Sequence, residues 1–465
     1  MRKNYFFGKM CLVSAISLLS FGMKAQTVVD GIAYKIVDGV AETSQLPGDV
    51  KYTLATINIP ATVTIEGTSY AVKKIGDGSM RDNANLTSLT IAEGVETIGN
   101  SSFASCSAIT NIQLPTTVKS IEDWAFYGCG GLESINIPDG ITIINKQTFA
   151  WSGVTNIVLP ASVTKIDDCA FQDAKKLSTI NLENITEIGN WALYETAITT
   201  VDVSKVTTVG NEAFRNCANL QSITLEKAQT IGDWVFNGCN NLESAVIGDA
   251  ESIGVGAFNA CSKLETVAFG DVETIKGWAF QNCTQLASVD LGTKLKEIDG
   301  GTFSGCAALT TLTIPNTVTS IKDWSLEKTG ITKIYASWAD PTTVAFEGSA
   351  FGQDAGKIDF VWMVPDNLIS AYESTLKDFP VQSYATTGIK DNEASKANAS
   401  YANGSLSLTN LDGYDVNVVS LDGRVVASFQ VVGATCEASV NLPSGIYLLN
   451  ATRGGDKVVV KFIAK

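Results

Sequence analysis

Apolar side chains recur along this chain with a period of 21–23 residues. Each period holds one large apolar residue, which we call the anchor, and a β-branched residue five places before it. The twelve anchors are Met80, Phe103, Phe126, Phe149, Phe171, Leu193, Phe214, Phe236, Phe258, Phe280, Phe303 and Leu326. A period of this length is typical of a solenoid, in which each repeat packs only against its neighbours.

Each period predicts the same short elements. After the anchor, apolar residues take the first, fourth and sixth places of a segment such as Leu132, Ile135 and Ile137, and this alternation indicates a half-buried strand. This strand is followed by a turn, by a second extended segment and by a tight return through the next anchor. One repeat buries too little apolar surface to offset the entropy of ordering its chain. We therefore predict a mainly β solenoid of about 12 stacked repeats over residues 75–335.

The segments outside the repeats differ in pattern. Residues 26–74 alternate apolar and polar side chains and predict an N-terminal β cap. Residues 336–386 predict a C-terminal cap with one strand and a helix around 368–379. Residues 387–403 are polar and rich in Ala, Asn and Ser, which is typical of a linker. Residues 404–465 hold five further strand patterns and predict a small β-sandwich.

The first 25 residues have the three parts of a signal peptide: a basic start, an apolar run over 10–21 and a short stretch ending at Ala25. We predict cleavage between Ala25 and Gln26. No later stretch approaches the roughly 18 apolar residues of a transmembrane helix. The sequence therefore predicts a secreted protein without a transmembrane segment.

Composition limits the chemistry. The chain has 33 basic and 48 acidic side chains, a net charge of −15. Such a surface repels phosphate backbones, so we do not expect nucleic acid as a partner. The chain has no histidine, which excludes Ser-His-Asp and Cys-His catalysis and histidine zinc ligands. We expect no catalytic residue, no metal site and no cofactor. A carboxylate-based hydrolase would need a deep pocket that breaks the repeat pattern.

One repeat unit carries a family resemblance. The unit runs from Val118 through Trp124, Phe126 and Cys129 to Pro138, and it resembles the BspA-type leucine-rich repeat. The resemblance covers residues 75 to about 335. It implies a curved leucine-rich repeat array and membership of a family of bacterial surface proteins linked to adhesion and to host or matrix binding.

By this resemblance the exposed strand positions line the concave face of the array. Most carry hydroxyl or amide groups, which suit hydrogen bonding to an extended peptide or glycan, although small polar side chains also simply fill a tightly curved sheet. The candidate ligand-binding residues are Asn111, Gln113, Asn136, Asn156, Asn181, Asp202, Thr224, Asp290 and Thr313. We predict an adhesin-like protein that binds an extracellular protein or glycan without catalysis. The alternative is a structural surface-layer or spacer protein without a specific ligand.

The last 62 residues carry a second resemblance. The segments 421–426, 442–448 and 457–462 resemble, in order, motifs of the C-terminal sorting domain of type IX secretion cargo. The corresponding residues are Gly423, Arg424, Gly445, Tyr447 and Lys461. The resemblance implies the type IX secretion machinery as a partner and the outer cell surface of a Gram-negative bacterium as the location. The alternative is an ordinary immunoglobulin-like stalk.

Cysteine and tryptophan each recur at one place in the repeat. Seven of the ten cysteines stand three places after an anchor: Cys106, Cys129, Cys217, Cys239, Cys261, Cys283 and Cys306. We predict a packed column of free thiols, with disulfides or a metal site as the alternative. Tryptophans stand two places before an anchor at Trp124, Trp191, Trp234, Trp278 and Trp324. They suit either sugar stacking or packing on the edge of the solenoid, and the interruptions in the row favour packing.

Overall fold

The computed structural model describes residues 26–48, 50–347, 349–351, 360–377, 379–384, 398–402, 405–409, 411–420, 425–433, 435–442, 445–453 and 456–464. The predicted signal peptide, 1–25, lies outside these residues, as does most of the predicted linker. The chain divides into two compact units, Met1–Val201 and Asp202–Lys465.

The first unit begins with six strands of the predicted N-terminal cap. They are β1 (Thr27–Val29), β2 (Ile32–Val37), β3 (Val40–Ser44), β4 (Thr56–Ile59), β5 (Thr62–Ile65) and β6 (Thr68–Ile75). β1, β2 and β3 pair antiparallel, and so do β5 and β6. The hairpins among these strands cover the apolar end of the first repeat.

Two parallel ladders follow. The strands are β7 (Ser88–Ile91), β8 (Thr97–Ile98), β9 (Asn111–Ile112), β10 (Ser120–Ile121), β11 (Ser134–Ile135), β12 (Ile143–Ile144), β13 (Asn156–Ile157), β14 (Lys165–Ile166), β15 (Thr179–Ile180) and β16 (Glu187–Ile188). We call the odd-numbered strands, which follow the anchors, the front ladder and the even-numbered strands the rear ladder. β4 pairs with β7 and β6 pairs with β8, so the cap joins both ladders.

The second unit continues the same arrangement. Its strands are β17 (Thr208–Val209), β18 (Ser222–Leu225), β19 (Thr230–Ile231), β20 (Ser244–Ile247), β21 (Ser252–Ile253), β22 (Thr266–Phe269), β23 (Thr274–Ile275), β24 (Ser288–Val289), β25 (Glu297–Ile298), β26 (Thr311–Ile314), β27 (Ser320–Ile321), β28 (Lys333–Ala336), β29 (Ala345–Phe346), β30 (Val361–Pro365) and β31 (Val381–Tyr384). Here the even-numbered strands and β31 form the front ladder, and the odd-numbered strands from β17 to β29 form the rear ladder. Together the two units hold a β-solenoid of about 14 turns.

The ladders extend beyond the predicted repeats. β29 pairs with β27, and β30 pairs with both β28 and β31, so ladder strands run through the predicted C-terminal cap, 336–386. This accounts for more turns than the predicted 12. The predicted helix of the cap is confirmed as α1 (Ile369–Thr375), preceded by 3-10 turns at Pro341–Thr343 and Asp366–Leu368.

Equivalent residues of neighbouring repeats stack in register. Ile135 pairs with Ile112 in the front ladder, and Ile144 pairs with Ile166 in the rear ladder. Each column of a ladder therefore holds the same kind of side chain. The predicted solenoid with a repeat of 21–23 residues is confirmed.

The phenylalanine anchors form a stacked column inside each unit. Ring centroids of Phe103, Phe126, Phe149 and Phe171 are 5.4–5.7 Å apart, with interplanar angles of 2–10°. In the second unit the column runs from Phe214 to Phe303 at 5.1–5.7 Å. The rings have no exposed surface. Each ring therefore stacks on the anchor of the next repeat, which is why a lone repeat has no core.

The return through each anchor adds a third ladder. In all twelve repeats the residues two places before and two places after the anchor have a positive φ. This geometry aims backbone N–H groups along the solenoid, as when Phe126 N donates to Thr148 O at 3.0 Å. We call this set of bonds the turn ladder. It satisfies buried backbone donors that the two strand ladders do not reach.

The C-terminal strands form two small antiparallel sheets. They are β32 (Asn398–Ala402), β33 (Ser405–Thr409), β34 (Asp415–Ser420), β35 (Val425–Gln430), β36 (Thr435–Ser439), β37 (Gly445–Arg453) and β38 (Asp456–Ala464). The sheet orders are β32-β33-β36 and β35-β34-β37-β38. Leu406, Leu408, Val416, Val418 and Leu449 are among the residues of their common core. The predicted small β domain is confirmed.

One boundary differs from the prediction. Asn398–Ala402, placed in the linker 387–403, form β32 and pair with β33. The segment contributes to the core because Ala399 is buried and the Tyr401 hydroxyl donates to Val440 O at 2.9 Å. The side chains of this segment are mostly small or polar, so the sequence shows no clear alternation of apolar and polar residues there.

Candidate functional site

The exposed places of the front ladder are uncharged in the repeats of the first unit. We call this surface the front face and define it by Asn111, Gln113, Ser134, Asn136, Asn156, Val158, Thr179 and Asn181. The register of the strands aligns Asn111 with Ser134 and Asn156 with Thr179. An open depression of about 400 Å³ lies among Gln113, Ser134, Asn136, Asn156 and Val158.

Val158 is the most exposed apolar side chain of the front face. It keeps 69% of its surface exposed, although the same place holds an amide or a hydroxyl in most repeats. Its neighbour Asn156 is also exposed. The depression therefore joins an apolar contact to hydrogen-bonding groups, a combination typical of ligand sites.

Two predicted ligand-binding residues already have backbone partners. The Asn136 amide accepts from Leu114 N at 2.6 Å and donates to Leu114 O at 2.9 Å. Asn181 makes the same pair of bonds to Leu159. The bonds replace the backbone pairing that these two-residue strands lack, so both side chains have a structural role. Asn111 instead bonds the neighbouring Ser134 hydroxyl at 2.5 Å.

The predicted residues of the second unit fall into two kinds. Thr224 and Thr313 are exposed on front strands that pair through their backbones. Asp202 accepts from Ser204 N, and Asp290 accepts from Gly292 N, each at 3.0 Å. These bonds form Asx turns that end the strand segments. The bond from Ser204 N lowers the pKa of Asp202.

The front ladder of the second unit offers residues that the sequence analysis missed. Tyr335 pairs with Thr313 on one side and with Met363 on the other, and both Tyr335 and Met363 are half-buried at outward places. The apolar pattern of the sequence could have identified this strand. Ile331, Ile334 and Ala336 take the first, fourth and sixth places of the segment that follows the last anchor, Leu326.

The repeat cysteines form a buried column of thiols. Seven described cysteines are buried and form no disulfide: Cys106, Cys129, Cys217, Cys239, Cys261, Cys283 and Cys306. In six of them the thiol donates at 3.1–3.2 Å to the anchor carbonyl of the preceding repeat. Burial raises the pKa of Cys106 and of Cys306 to about 12. The position three places after the anchor requires a small side chain, and a hydrogen-bond donor there is favourable because it reaches the anchor carbonyl. Both features agree with the predicted column of free thiols.

We expect these thiols to be unreactive in the folded protein. At pH 8 a thiol-specific reagent such as Ellman's reagent needs the thiolate, and burial disfavours that form. Among the described cysteines only the half-buried Cys169 and Cys436 should react early. The column should react after denaturation without a reductant. Fast labelling of the native column, or its failure to react when unfolded, would show that the thiols are exposed or oxidised.

The tryptophans lie at the edge of the solenoid, on the turn ladder. Trp191, Trp278 and Trp324 keep 38–44% of their surface exposed, whereas Trp124 and Trp234 are half-buried. Each has a positive φ, between 53° and 58°. The Trp124 indole N–H donates to the Gln147 side chain of the next repeat. The tryptophans at this position therefore combine packing on the edge of the solenoid with exposure to solvent.

A family model described as BspA type leucine rich repeat region matches six copies over residues 73–157, 142–251 and 247–352. These matches together span more than half of the chain. The chain belongs to the BspA-type leucine-rich repeat family. The predicted resemblance of the repeats is therefore confirmed. BspA-type proteins are typically cell-surface proteins and generally non-catalytic.

Solved structures of other leucine-rich repeat proteins are similar to this BspA-type chain. One from Bacteroides ovatus is 23% identical with a TM-score of 0.53, covering 77% of this chain and 99% of that chain. One from Eubacterium ventriosum is 23% identical with a TM-score of 0.43, covering 66% and 96%. A leucine rich cell surface protein from Faecalibacterium prausnitzii is 21% identical with a TM-score of 0.41, covering 79% and 96%. The Bacteroides ovatus structure shows the fold alone. No curated protein sequence matches the chain.

The predicted signal-cleavage and sorting residues of this BspA-type protein are only partly described. Ala25, Gly423 and Arg424 lie outside the described residues, whereas the Gln26 side chain donates to Gln45 O at 3.1 Å. Gly445 begins β37, and Tyr447 is buried in the core of the small domain. Lys461 lies in β38 opposite Leu448. The cleavage between Ala25 and Gln26 and the sorting role of the other residues stay predictions.

The described part of this BspA-type chain contains no group of His, Cys, Asp and Glu side chains able to hold a metal ion. In the same stretches of chain, no helix has the length and apolar character needed to cross a membrane.

Proposed function

We propose that this BspA-type leucine-rich repeat protein is displayed on the cell surface and binds an extracellular protein or glycan through the front face of its first unit. One observation carries the proposal. The protein has a net charge of −15, yet the front face is uncharged and has an exposed apolar side chain at its centre.

The chemistry of the front face fits an uncharged, extended ligand. Its amide and hydroxyl groups both donate and accept hydrogen bonds, and removing them from water costs less than removing charges. Rows of equivalent side chains recur about every 4.8 Å along a parallel ladder. Because ladder bonds fix these rows before binding, association loses little conformational entropy.

Binding is tested on the full chain with an array of glycans and extracellular matrix proteins. We expect retention of at least one ligand and its loss in the Val158→Glu variant, because a charge then enters the centre of the depression. Ile143→Glu is the matched control, since Ile143 is an exposed β-branched residue of the rear ladder. No retention on the array, or equal retention by Val158→Glu and wild type, contradicts the proposal and favours the spacer alternative.

Display on the surface rests on the family and on the C-terminal domain. The small domain has its own apolar core, as a separable sorting module requires. We propose that it directs export through the type IX secretion machinery of a Gram-negative bacterium, after removal of the N-terminal signal peptide.

Display is tested by protease shaving of intact cells that express either the full chain or a chain lacking residues 398–465, which removes the small domain together with β32. We expect the full chain to be digested on intact cells and the truncated chain to be protected until the cells are lysed. Digestion after lysis is the control that the truncated chain is present. Equal digestion of both chains on intact cells would exclude a sorting role for the tail.

A further inference from the structure

Tryptophan and glycine alternate along part of the turn ladder in the second unit. The residues two places before the anchors are, in order, Trp234, Gly256, Trp278, Gly301 and Trp324. All five have a φ of 57–65°. We call the three tryptophans the tryptophan row.

The backbone does not favour tryptophan at these places. A positive φ is strained for a bulky L-residue and costs on the order of 1 kcal/mol, whereas glycine adopts it freely. Gly256 and Gly301 show that the turn forms without a side chain. The turn backbone alone therefore does not account for the tryptophans of the row.

The glycines make room for the indole rings. A Cβ on Gly256 would lie 2.5 Å from Cε3 of Trp234, and a Cβ on Gly301 would lie 2.4 Å from Cδ1 of Trp278. Each ring thus lies against the backbone of the following repeat, which limits its motion. Trp278 and Trp324 nevertheless keep 44% and 42% of their surface exposed. Trp278 therefore holds a fixed aromatic surface that faces water, Trp324 presents a second exposed ring, and Trp234 is half-buried.

The row has a defined spacing. Successive anchors are 5.2 Å apart between Phe258 and Phe280 and 5.7 Å apart between Phe280 and Phe303. Equivalent places two repeats apart are therefore separated by roughly 10 Å. Two sugar units of an extended β-1,4-linked chain cover about the same distance, and the C–H face of a pyranose ring packs well on an indole.

Polar groups fill the interval between two members of the row. An open depression of about 270 Å³ is lined by Trp278, Trp324, Asp299, Lys322 and Asp323, together with backbone and other side chains. Its polar side chains lie beside the two indoles, where the hydroxyls of a bound sugar would project.

The carboxylates of this depression are held in place. Asp299 accepts from Gly277 N at 2.9 Å and from Gly300 N at 2.7 Å, and it lies 3.2 Å from Lys322 Nζ. Asp323 accepts from Ser349 N at 2.8 Å. A carboxylate has about four acceptor sites, so both retain capacity for the hydroxyls of a sugar. Lys322 Nζ also lies 2.7 Å from Glu297 Oε1, so one of its three N–H donors remains for a ligand.

We propose that the tryptophan row and the carboxylates beside it form a second binding site, which takes an extended β-1,4-linked oligosaccharide. The row binds alternate sugar rings by stacking, and the carboxylates accept hydrogen bonds from the ring between them. This site is separate from the front face of the first unit and does not depend on it.

Calorimetric titration of the full chain with cellohexaose and chitohexaose tests the site, with maltohexaose as the α-1,4-linked comparison. The variants are Trp278→Gly and Trp324→Gly, which introduce the residue that alternate repeats already carry and relieve the strain of a positive φ. Trp151→Gly is the control, because Trp151 has a φ of 60° and is 49% exposed outside the row.

We expect a β-1,4-linked hexaose to bind and its Kd to rise by about tenfold or more in each row variant. Trp151→Gly and Val158→Glu should leave that Kd unchanged. The proposal is overturned if neither β-1,4-linked hexaose binds, if binding survives in the row variants, or if maltohexaose binds equally well. Loss of binding in Val158→Glu would instead assign the ligand to the front face.

Discussion

The Phe258→Ala variant is expected to lose about 3–5 kcal/mol of its free energy of unfolding. Phe258 has no exposed surface and stacks between Phe236 and Phe280, at centroid distances of 5.1 and 5.2 Å. Truncation removes both ring contacts and leaves a cavity between repeats that cannot collapse, because three ladders hold the neighbouring backbones. Urea unfolding followed by far-ultraviolet circular dichroism measures the loss at constant m value.

Phe258→Leu is the matched control. Leucine already fills the anchor place at Leu193 and is fully buried there, so this variant should lose less than half as much stability as Phe258→Ala. If both variants unfold at the wild-type urea concentration, the phenylalanine column is not what joins the repeats.

A second large effect is expected from Asn136→Ala, which should destabilise the protein by about 2–3 kcal/mol. The variant leaves both Leu114 N and Leu114 O without the side-chain partner that they have at 2.6 and 2.9 Å. Thermal or urea unfolding measures the change.

Asn156→Ala separates structure from recognition. Asn156 is the same residue type on the same face, and it is exposed. Its replacement should leave stability within about 0.5 kcal/mol of wild type while weakening ligand binding. Equal destabilisation by Asn136→Ala and Asn156→Ala would mean that the two amides do not differ in role.

The hydrophobic period predicted the parts of the fold that depend on burial. The spacing of the anchors and of Ile75, Ile98 and their equivalents gave the repeat, the strand places and the buried column, because in a solenoid the same contacts recur in each turn. The register of the ladders follows from the same rule, since a shift would expose the apolar column.

The hydrophobic period did not predict the backbone conformation of the tight returns through the anchors. Positive φ at bulky residues such as Trp278 runs against local preference, and it is imposed by hydrogen bonds to the next repeat. The turn ladder is therefore a property of stacking, invisible in any single repeat. The strand β32 was missed for a different reason, because Ala399 and Ala402 give little apolar contrast with their neighbours.

The candidate site, like the fold, was predicted only in part from the sequence. The alternation in the strands predicted which side chains point outward, and Gln113 and Asn156 are exposed as predicted. The alternation did not predict the hydrogen-bond partners of those side chains. The bonds of Asn136 and Asn181 to the preceding repeat depend on two-residue strands, a length that the sequence pattern does not specify.

Native-state hydrogen exchange of the full chain, resolved by residue, tests the stacked-repeat account most directly. The account predicts slow exchange in three columns per repeat, including anchor amides such as Phe126 N, which donates to Thr148 O. It also predicts that Phe258→Ala speeds exchange in neighbouring repeats as well as its own. Rapid exchange at the anchor amides, or an effect of Phe258→Ala confined to one repeat, would contradict the claim that each repeat is stable only through its neighbours.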